Sequence, residues 1–406
     1  MKKIVTKNDP SKNVFSTREM ILVGLTTLLV GLVIGILLNK TKIITKSAFV
    51  EDEYLNEFAT NYQYIIDNYY EKVDKKELIN GAIAGMANSL GDPFSMYIDE
   101  STLNNFSATL NGSYNGIGIQ IVQDSNKNII VTGVFKDSPA EKAEIKVKDK
   151  LLEVNGKTSE KLGLSGMVNE IRNSEKKEIL IKLERDGQEQ EITVTKSTVV
   201  LSSVESKTFD VENKKVGYIL ISVFANNTYS QFKKELQSLE EEGINYLIID
   251  VRGNSGGKLS SIDSILDLFL NSKQIMYQMD EKGKITKTYG TGNEKKDYEI
   301  ILLGDENSAS ASEVLIAGIK ENLNSKFIGK KTYGKGTVQE LKTLSDGSQY
   351  KITIKKWLTP KGNWINKTEG IIPDIEVDLD EKYFDTYEDN DDTQLQRVLE
   401  YVRTGQ

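Results

Sequence analysis

Cysteine and histidine are both absent from the 406 residues. Without Cys there is no disulfide, no thiolate nucleophile, no zinc finger and no iron–sulfur ligation. Without His there is no Ser-His-Asp triad, no imidazole metal site and no histidine proton shuttle. Acid–base chemistry then falls to Lys, Asp, Glu or Tyr. An excess of positive charge is missing too. Against 60 Asp and Glu stand 52 Lys and Arg, a net charge of −8, which argues against nucleic acid as the partner. The rest is ordinary: 38% hydrophobic and 28% charged residues exclude wholesale disorder. A chain of 406 residues exceeds one ordinary core and implies two or three domains.

One long apolar run is present. Residues 20–38 (MILVGLTTLLVGLVIGILL) carry no charge, and their length falls within the roughly 17–25 residues that span a bilayer. Lys2, Lys3, Lys7, Lys12 and Arg18 precede the run; Lys40 and Lys42 follow it. The larger cluster predicts residues 1–19 as a cytoplasmic tail. A cleaved signal peptide would have a shorter apolar region, about 7–15 residues, and a small-residue cleavage site. Asn39-Lys40-Thr41-Lys42 offers none. The expectation is an uncleaved anchor at 20–38, with a single-pass protein in the cell membrane and an acidic, extracytoplasmic remainder.

Residues 50–90 have helical periodicity, with Tyr54, Phe58, Tyr62, Ile65 and Ile66 at spacings of three and four, up to a break at Gly91-Asp92-Pro93. This segment reads either as local packing or as a dimerisation arm. Between 114 and 195, strand-like runs at 117–122, 129–135, 150–154, 179–183 and 191–194 enclose helical candidates near 139–143 and 162–171. That pattern suggests a compact β-rich module. From 196 to 380 strand and helix alternate, which implies an α/β core. The acidic run 385–392 lacks the Gly of a calcium loop and reads as solvated surface before a short helix at 393–402.

Three stretches can hold chemistry. At 247–257 (LIIDVRGNSGG) an apolar strand runs into a turn with three glycines, able to expose backbone N–H groups or to serve as a plain connection. At 307–313 (NSASASE) small residues join a strand to a helix, where a hydroxyl can stand among free N–H groups. Ser310 with Glu313 also fits a simple capping box. At 329–337 (GKKTYGKGT) a phosphate loop is nearly matched, but Gly336 occupies the Ser/Thr place and a hairpin follows instead of a helix. A Lys between glycines can instead point into a site. Without His, a Ser nucleophile needs Lys as its base. The Lys pKa must then fall from about 10.4 to about 7–8, which burial can supply. A penicillin-binding or class A β-lactamase arrangement is excluded, since no K-T-G or S-D-N accompanies the two S-x-x-K matches.

Taken together, 307–313 (NSASASE), 333–339 (YGKGTVQ), 344–348 (LSDGS), 250–257 (DVRGNSGG), 91–97 (GDPFSMY) and 370–375 (GIIPDI) strongly resemble the bacterial C-terminal processing, or tail-specific, peptidases. Residues 114–121 (YNGIGIQI) and 151–156 (LLEVNG) are similar to the PDZ module inserted in that family. The resemblance covers about 50–380. It implies a multidomain α/β fold: a crotonase/Clp-like serine protease core with an inserted β-rich PDZ domain, an N-terminal helical arm and the one transmembrane helix. The implied layout is a tail at 1–19, an anchor at 20–38, a helical dimerisation or cap region at 43–103, a PDZ domain at 104–195, a Ser-Lys protease core at 196–380 and an acidic tail and helix at 381–406.

The resemblance further implies Ser310 as nucleophile, Lys335 as base and Gln339 as its support. The oxyanion hole would use the amide of Ala311 and one amide from Gly256 or Gly257, which sequence does not separate. Gly116, Ile117, Gly118 and Ile119 match the PDZ loop that captures a peptide's terminal carboxylate as it adds a strand, and tail docking would help to switch the protease on. The expected partners are protein substrates held by their C-terminal tails, the membrane at 20–38 and a second copy in a homodimer, with no nucleic acid, no metal and no cofactor. The rival readings are a catalytically inactive PDZ tail-binding scaffold and an acyl-CoA enzyme on a similar core. Intact Ser310, Lys335 and Gln339 speak against the first, and the inserted module speaks against the second.

Overall fold

The computed structural model describes residues 52–98, 103, 107, 109–292, 296–344, 347–366 and 369–406. The expected anchor at 20–38 and the tail at 1–19 lie outside them. The expectations of a transmembrane helix, of a single-pass protein with an extracytoplasmic catalytic domain and of a membrane partner are corrected. No helix among the described residues is long and apolar enough to cross a membrane. The longest, Glu53–Asn68, has 16 residues and includes charged ones, short of the roughly 17–25 apolar residues a span requires.

The chain divides into two compact units, 1–83 and 84–406. In the first, Asp52 caps the helix Glu53–Asn68 by accepting the Tyr54 N–H. No residue of this helix is buried, and Tyr54, Leu55, Phe58 and Ile65 are exposed. The periodicity read as continuous from 50 to 90 is interrupted after Asn68. Tyr69 is extended, and Asp74 accepts the N–H groups of Lys76 and Glu77 to start a second helix, Lys75–Asn88.

The second unit is built on a six-stranded sheet. Its order is Val204–Val211, Lys214–Ile221, Tyr246–Asp250, Glu299–Gly304, Lys326–Gly329, Ile375–Glu376, all parallel after the first antiparallel pair. Side chains alternate across a strand, and here both faces are covered. Leu247 and Ile249 pack with Phe232, Leu236, Ile262, Ile265, Val314 and Leu315, from the helices Thr228–Glu241, Leu259–Leu266 and Ala311–Leu323. Ile248, between them, packs with Leu395, Val398 and Leu399 of the helix Thr393–Thr404. Two-sided burial explains the continuous apolar run at 246–249.

A five-stranded sheet joins Met96–Ile98, Gln349–Leu358, Ile275–Glu281 and Lys284–Tyr289, with Thr337–Thr343 also paired to Gln349–Leu358. The expected hairpin after Gly336 is the last of these pairs. The hairpin 275–289 and the strand Val204–Val211 had no clear sequence signal. The β-rich module is a sheet in the order Ile119–Gln123, Ile129–Val134, Lys150–Val154, Glu178–Arg185, Gln188–Thr195. The helix Ser159–Asn173 contributes Met167 and Ile171 to its core, with Ile129, Leu151, Ile181 and Leu183.

The acidic run 385–392 departs from a purely solvated surface at its end. Asp392 is buried and accepts two hydrogen bonds from Arg252, both at 2.8 Å.

Candidate active site

The strands Tyr246–Asp250, Glu299–Gly304 and Lys326–Gly329 are adjacent and parallel. Their carboxyl ends therefore open on one edge, where parallel sheets place ligands. The three chemistry-bearing stretches follow these three strands in turn. Their residues line one cavity of about 910 Å³, which brings together Gly256, Gly257, Ser310, Ala311, Lys335 and Gln339.

Ser310 sits at the start of the helix Ala311–Leu323 with φ 56° and ψ −112°. This backbone is sparsely populated for a residue with a side chain and costs on the order of 1–3 kcal/mol. It resembles the strained strand-to-helix turns that lift a hydroxyl out of a sheet edge. Asn254 and Glu313 hold it. Asn254, fully buried, accepts the Ala309 N–H (3.0 Å) and the Ser312 hydroxyl (2.7 Å) on its carbonyl, while its side chain donates to Ile221 O (2.8 Å).

Glu313 is more than the helix cap expected of it. One oxygen, Oε2, accepts the N–H groups of Ser310 (2.7 Å) and Lys335 (2.9 Å); Oε1 accepts the Thr332 hydroxyl (2.6 Å) and the Gly334 N–H (2.7 Å). Burial pushes this carboxyl up, opposed by those four hydrogen bonds. Neither Asn254 nor Glu313 stood out in sequence as a site residue. The only trace was the position of each beside one: Asn254 among glycines, Glu313 three after Ser310.

The glycine turn separates two donors that sequence left equal. The Gly256 N–H is already used, donating to Asn254 Oδ1 at 2.8 Å. The N–H groups of Gly257 and Ala311 donate to no other described residue. Gly257 has φ +142°, and a Cβ there would lie 2.1 Å from Phe224 O. Only glycine lets the turn come this close.

Lys335 is fixed at both ends of its peptide unit, by Glu313 at the N–H and by Trp357 Nε1, which donates to its carbonyl at 2.7 Å. Gly336 follows because a Cβ there would stand 1.6 Å from Ile365 O. Burial, then the positive charge of Lys351, lower the Lys335 pKa to about 8, against the opposing charges of Glu313 and Asp92. Its Nζ lies 4.7 Å from the centroid of the Phe94 ring. No hydrogen bond joins it to Ser310 Oγ, and the Gln339 Nε2 donates instead to Thr337 and Thr353. Hydrogen bonds between a base and a nucleophile often close only around substrate.

A second cavity, about 360 Å³, lies in the β-rich module. Gly116, Ile117, Gly118 and Ile119 line it, opposite Val168 and Ile171 of the helix Ser159–Asn173, and the Arg172 guanidinium lies 5.3 Å from the Tyr114 ring centroid.

Comparison with known proteins gives the family. Residues 215–377 match Peptidase family S41, 107–184 the PDZ domain, and 37–102 the activating protease CtpB N-terminal domain. The carboxy-terminal processing protease CtpB of Bacillus subtilis is 38% identical over 329 residues, which are 80% of this chain and 68% of that one. The carboxy-terminal processing protease CtpA of the same organism is 33% identical, over 84% of this chain and 72% of its own. A probable CtpA-like serine protease of Staphylococcus aureus is 35% identical over 80% of this chain and 65% of its own. Among solved structures, the photosystem II D1 C-terminal processing protease is similar in fold, with a TM-score of 0.50 and 22% identity over 87% of this chain and 92% of that one. The chain belongs to the carboxy-terminal processing proteases of peptidase family S41, serine-type peptidases with a PDZ domain.

Proposed function

We propose that this peptidase cuts polypeptides through a Ser310–Lys335 dyad. The observation that carries the reading is a lysine whose pKa is lowered to about 8, in one cavity with a serine on a strained turn, in a chain without histidine. The neutral Lys335 amine takes the Ser310 hydroxyl proton as Oγ attacks the scissile carbonyl. The resulting ammonium protonates the leaving amine, and an acyl ester remains on Ser310. Lys335 then deprotonates the water that hydrolyses the ester, and the proton returns to Ser310. The free amides of Ala311 and Gly257 are the pair suited to the oxyanion, assisted by the positive end of the helix Ala311–Leu323. Gln339 reaches its supporting place on Lys335 by turning its amide away from Thr337 and Thr353.

The substrate proposed is a flexible protein tail. It would add as a strand beside Ile119–Gln123, with its terminal carboxylate at the 116–119 loop and an apolar last side chain among Ile117, Ile119, Val168 and Ile171. The test is cleavage of casein, a flexible protein, by the full chain beside Ser310→Ala and Lys335→Ala. Loss of turnover in both folded variants is expected. Turnover surviving in Ser310→Ala would sink the dyad, and turnover absent from the wild type as well would favour a tail-binding role.

A further inference from the structure

The segment 91–97 (GDPFSMY) has no part in the proposed reaction. It is stitched into the site from both sides. Asp92 accepts the Phe94 N–H (3.0 Å) and the Ser95 hydroxyl (2.6 Å); Ser95 Oγ accepts the Thr353 N–H (3.0 Å); and Met96 pairs with Lys351 across the strand Gln349–Leu358. Pro93 restricts the backbone between them. The result is an aromatic ring projected into the cavity that holds Ser310 and Lys335. The Phe94 ring meets Tyr333 edge-on, with centroids 6.4 Å apart, and offers its other contact to Lys335 Nζ at 4.7 Å.

We propose that Phe94 is a positioning residue for Lys335: the ring face holds the protonated side chain off Ser310, and the amine reaches Ser310 only after it loses the proton. The proposal rests on the Ser310–Lys335 reading. A ring face attracts a cation and has no such hold on a neutral amine. The contact therefore favours the form that cannot act as base, and in the structure no hydrogen bond joins Lys335 Nζ to Ser310. The other charges acting on Lys335 come from each surrounding element: Lys351 on the strand Gln349–Leu358, Glu313 on the helix Ala311–Leu323 and Asp92 on the Phe94 segment itself. Phe94 thus works in the same direction as Glu313 and Asp92, opposing burial and Lys351.

The test is the pH dependence, from pH 6 to 10, of the second-order rate at which a fluorophosphonate labels the full chain. Wild type, Phe94→Leu, Phe94→Trp and Lys335→Ala are compared. Leu keeps an apolar cover but no π face; Trp keeps the face. A cation–π contact of about 0.5–2 kcal/mol corresponds to a shift of roughly half to one and a half pH units. Phe94→Leu is expected to move the acid limb down by about one unit and to raise the rate at pH 7 several-fold. Phe94→Trp is expected to restore the wild-type limb or move it upward. A limb that Phe94→Leu leaves in place would overturn the Phe94 role alone, because a ring that served only as apolar cover would be replaced by Leu without a shift. A wild type with no such limb, or Lys335→Ala labelled at the wild-type rate, would instead overturn the dyad and Phe94's role with it. Phe94→Leu is close in size, and an unchanged melting temperature shows that the folded states are comparable.

Discussion

Ser310 and Lys335 donate their backbone N–H groups to the same oxygen, Oε2 of Glu313, at 2.7 and 2.9 Å. One buried carboxylate thus fixes the main chain of the proposed nucleophile and of its base. The other oxygen holds Thr332 and Gly334, so the whole approach to Lys335 is tied to the first turn of the helix that begins after Ser310. Prior placement of reacting groups is worth much of a barrier, and small displacements of them are costly.

Glu313→Gln tests this tie. An amide keeps the shape but turns an NH₂ toward N–H or O–H donors on one side. At least one buried donor pair loses its acceptor, at about 1–3 kcal/mol for each unsatisfied group. We expect a lower melting temperature and a fall in kcat of at least tenfold, with KM little changed. Thermal unfolding and steady-state kinetics on a flexible peptide measure both. A folded Glu313→Gln with unchanged kcat would mean that other contacts suffice to set the two backbones.

The pH profile follows from Lys335. Its pKa is lowered to about 8, first by burial and then by Lys351. A base works as the neutral amine, so kcat/KM should fall below pH 8, approaching tenfold per unit, and level off above it. In Lys351→Met the positive neighbour is gone. Ionised Lys335 is then easier to hold, its pKa rises, and the acid limb moves to higher pH with a loss of rate at pH 7. A profile shifted to lower pH in Lys351→Met would contradict this account.

Gly257→Ala probes the proposed oxyanion turn. The added Cβ would lie 2.1 Å from Phe224 O, so the turn must move, and its N–H with it. Losing one oxyanion donor typically costs about 10²–10³ in rate. We expect a kcat reduced by that order with substrate binding largely retained, measured as kcat and KM separately. A kcat within a few-fold of wild type would assign the donor elsewhere.

Much of this site was legible because its parts are local in sequence. Small residues around Ser310, glycines on both sides of Lys335 and the glycine turn after Asp250 each announce backbone geometry that only those residues allow. The alternation of strand and helix at 216–270 and 300–320 was equally readable, since two-sided burial gives continuous apolar runs such as 246–249, whereas the hairpin 275–289 between them was not. What stayed hidden depends on long-range pairing. Glu313 looked like a cap because its contacts with Thr332, Gly334 and Lys335 lie about one helix and one strand away. Gly256 and Gly257 looked alike until the Asn254 side chain was seen to occupy the first amide. The acidic run before the last helix looked solvated because nothing local announced Arg252 as a partner for Asp392.

That last pairing carries its own prediction. Arg252 sits between Asp250 and Asp392, with its side chain 12% exposed and those of the two acids 1% and 2% exposed. Burial works against the Arg252 charge, and the two carboxylates outweigh it and hold it ionised. Asp392 also caps the helix Thr393–Thr404 by accepting the Leu395 N–H at 2.9 Å. The side chain therefore clamps the C-terminal helix to the residue that opens the 253–257 turn. Removing one partner of a buried pair costs on the order of 3–5 kcal/mol, because the remaining charge stays buried and underpaired. Asp392→Asn keeps the cap oxygen but loses the charge, and with it the acceptor that faces Arg252 Nη2, so its cost should fall within that range. Asp392→Ala loses both and should cost more, by about 1 kcal/mol for the cap. Denaturant unfolding of the two variants gives the order directly. If the clamp also sets the turn, kcat should fall in Asp392→Asn even where the protein is fully folded. Stability lost without any change in kcat would confine the Arg252–Asp392 pair to holding the helix.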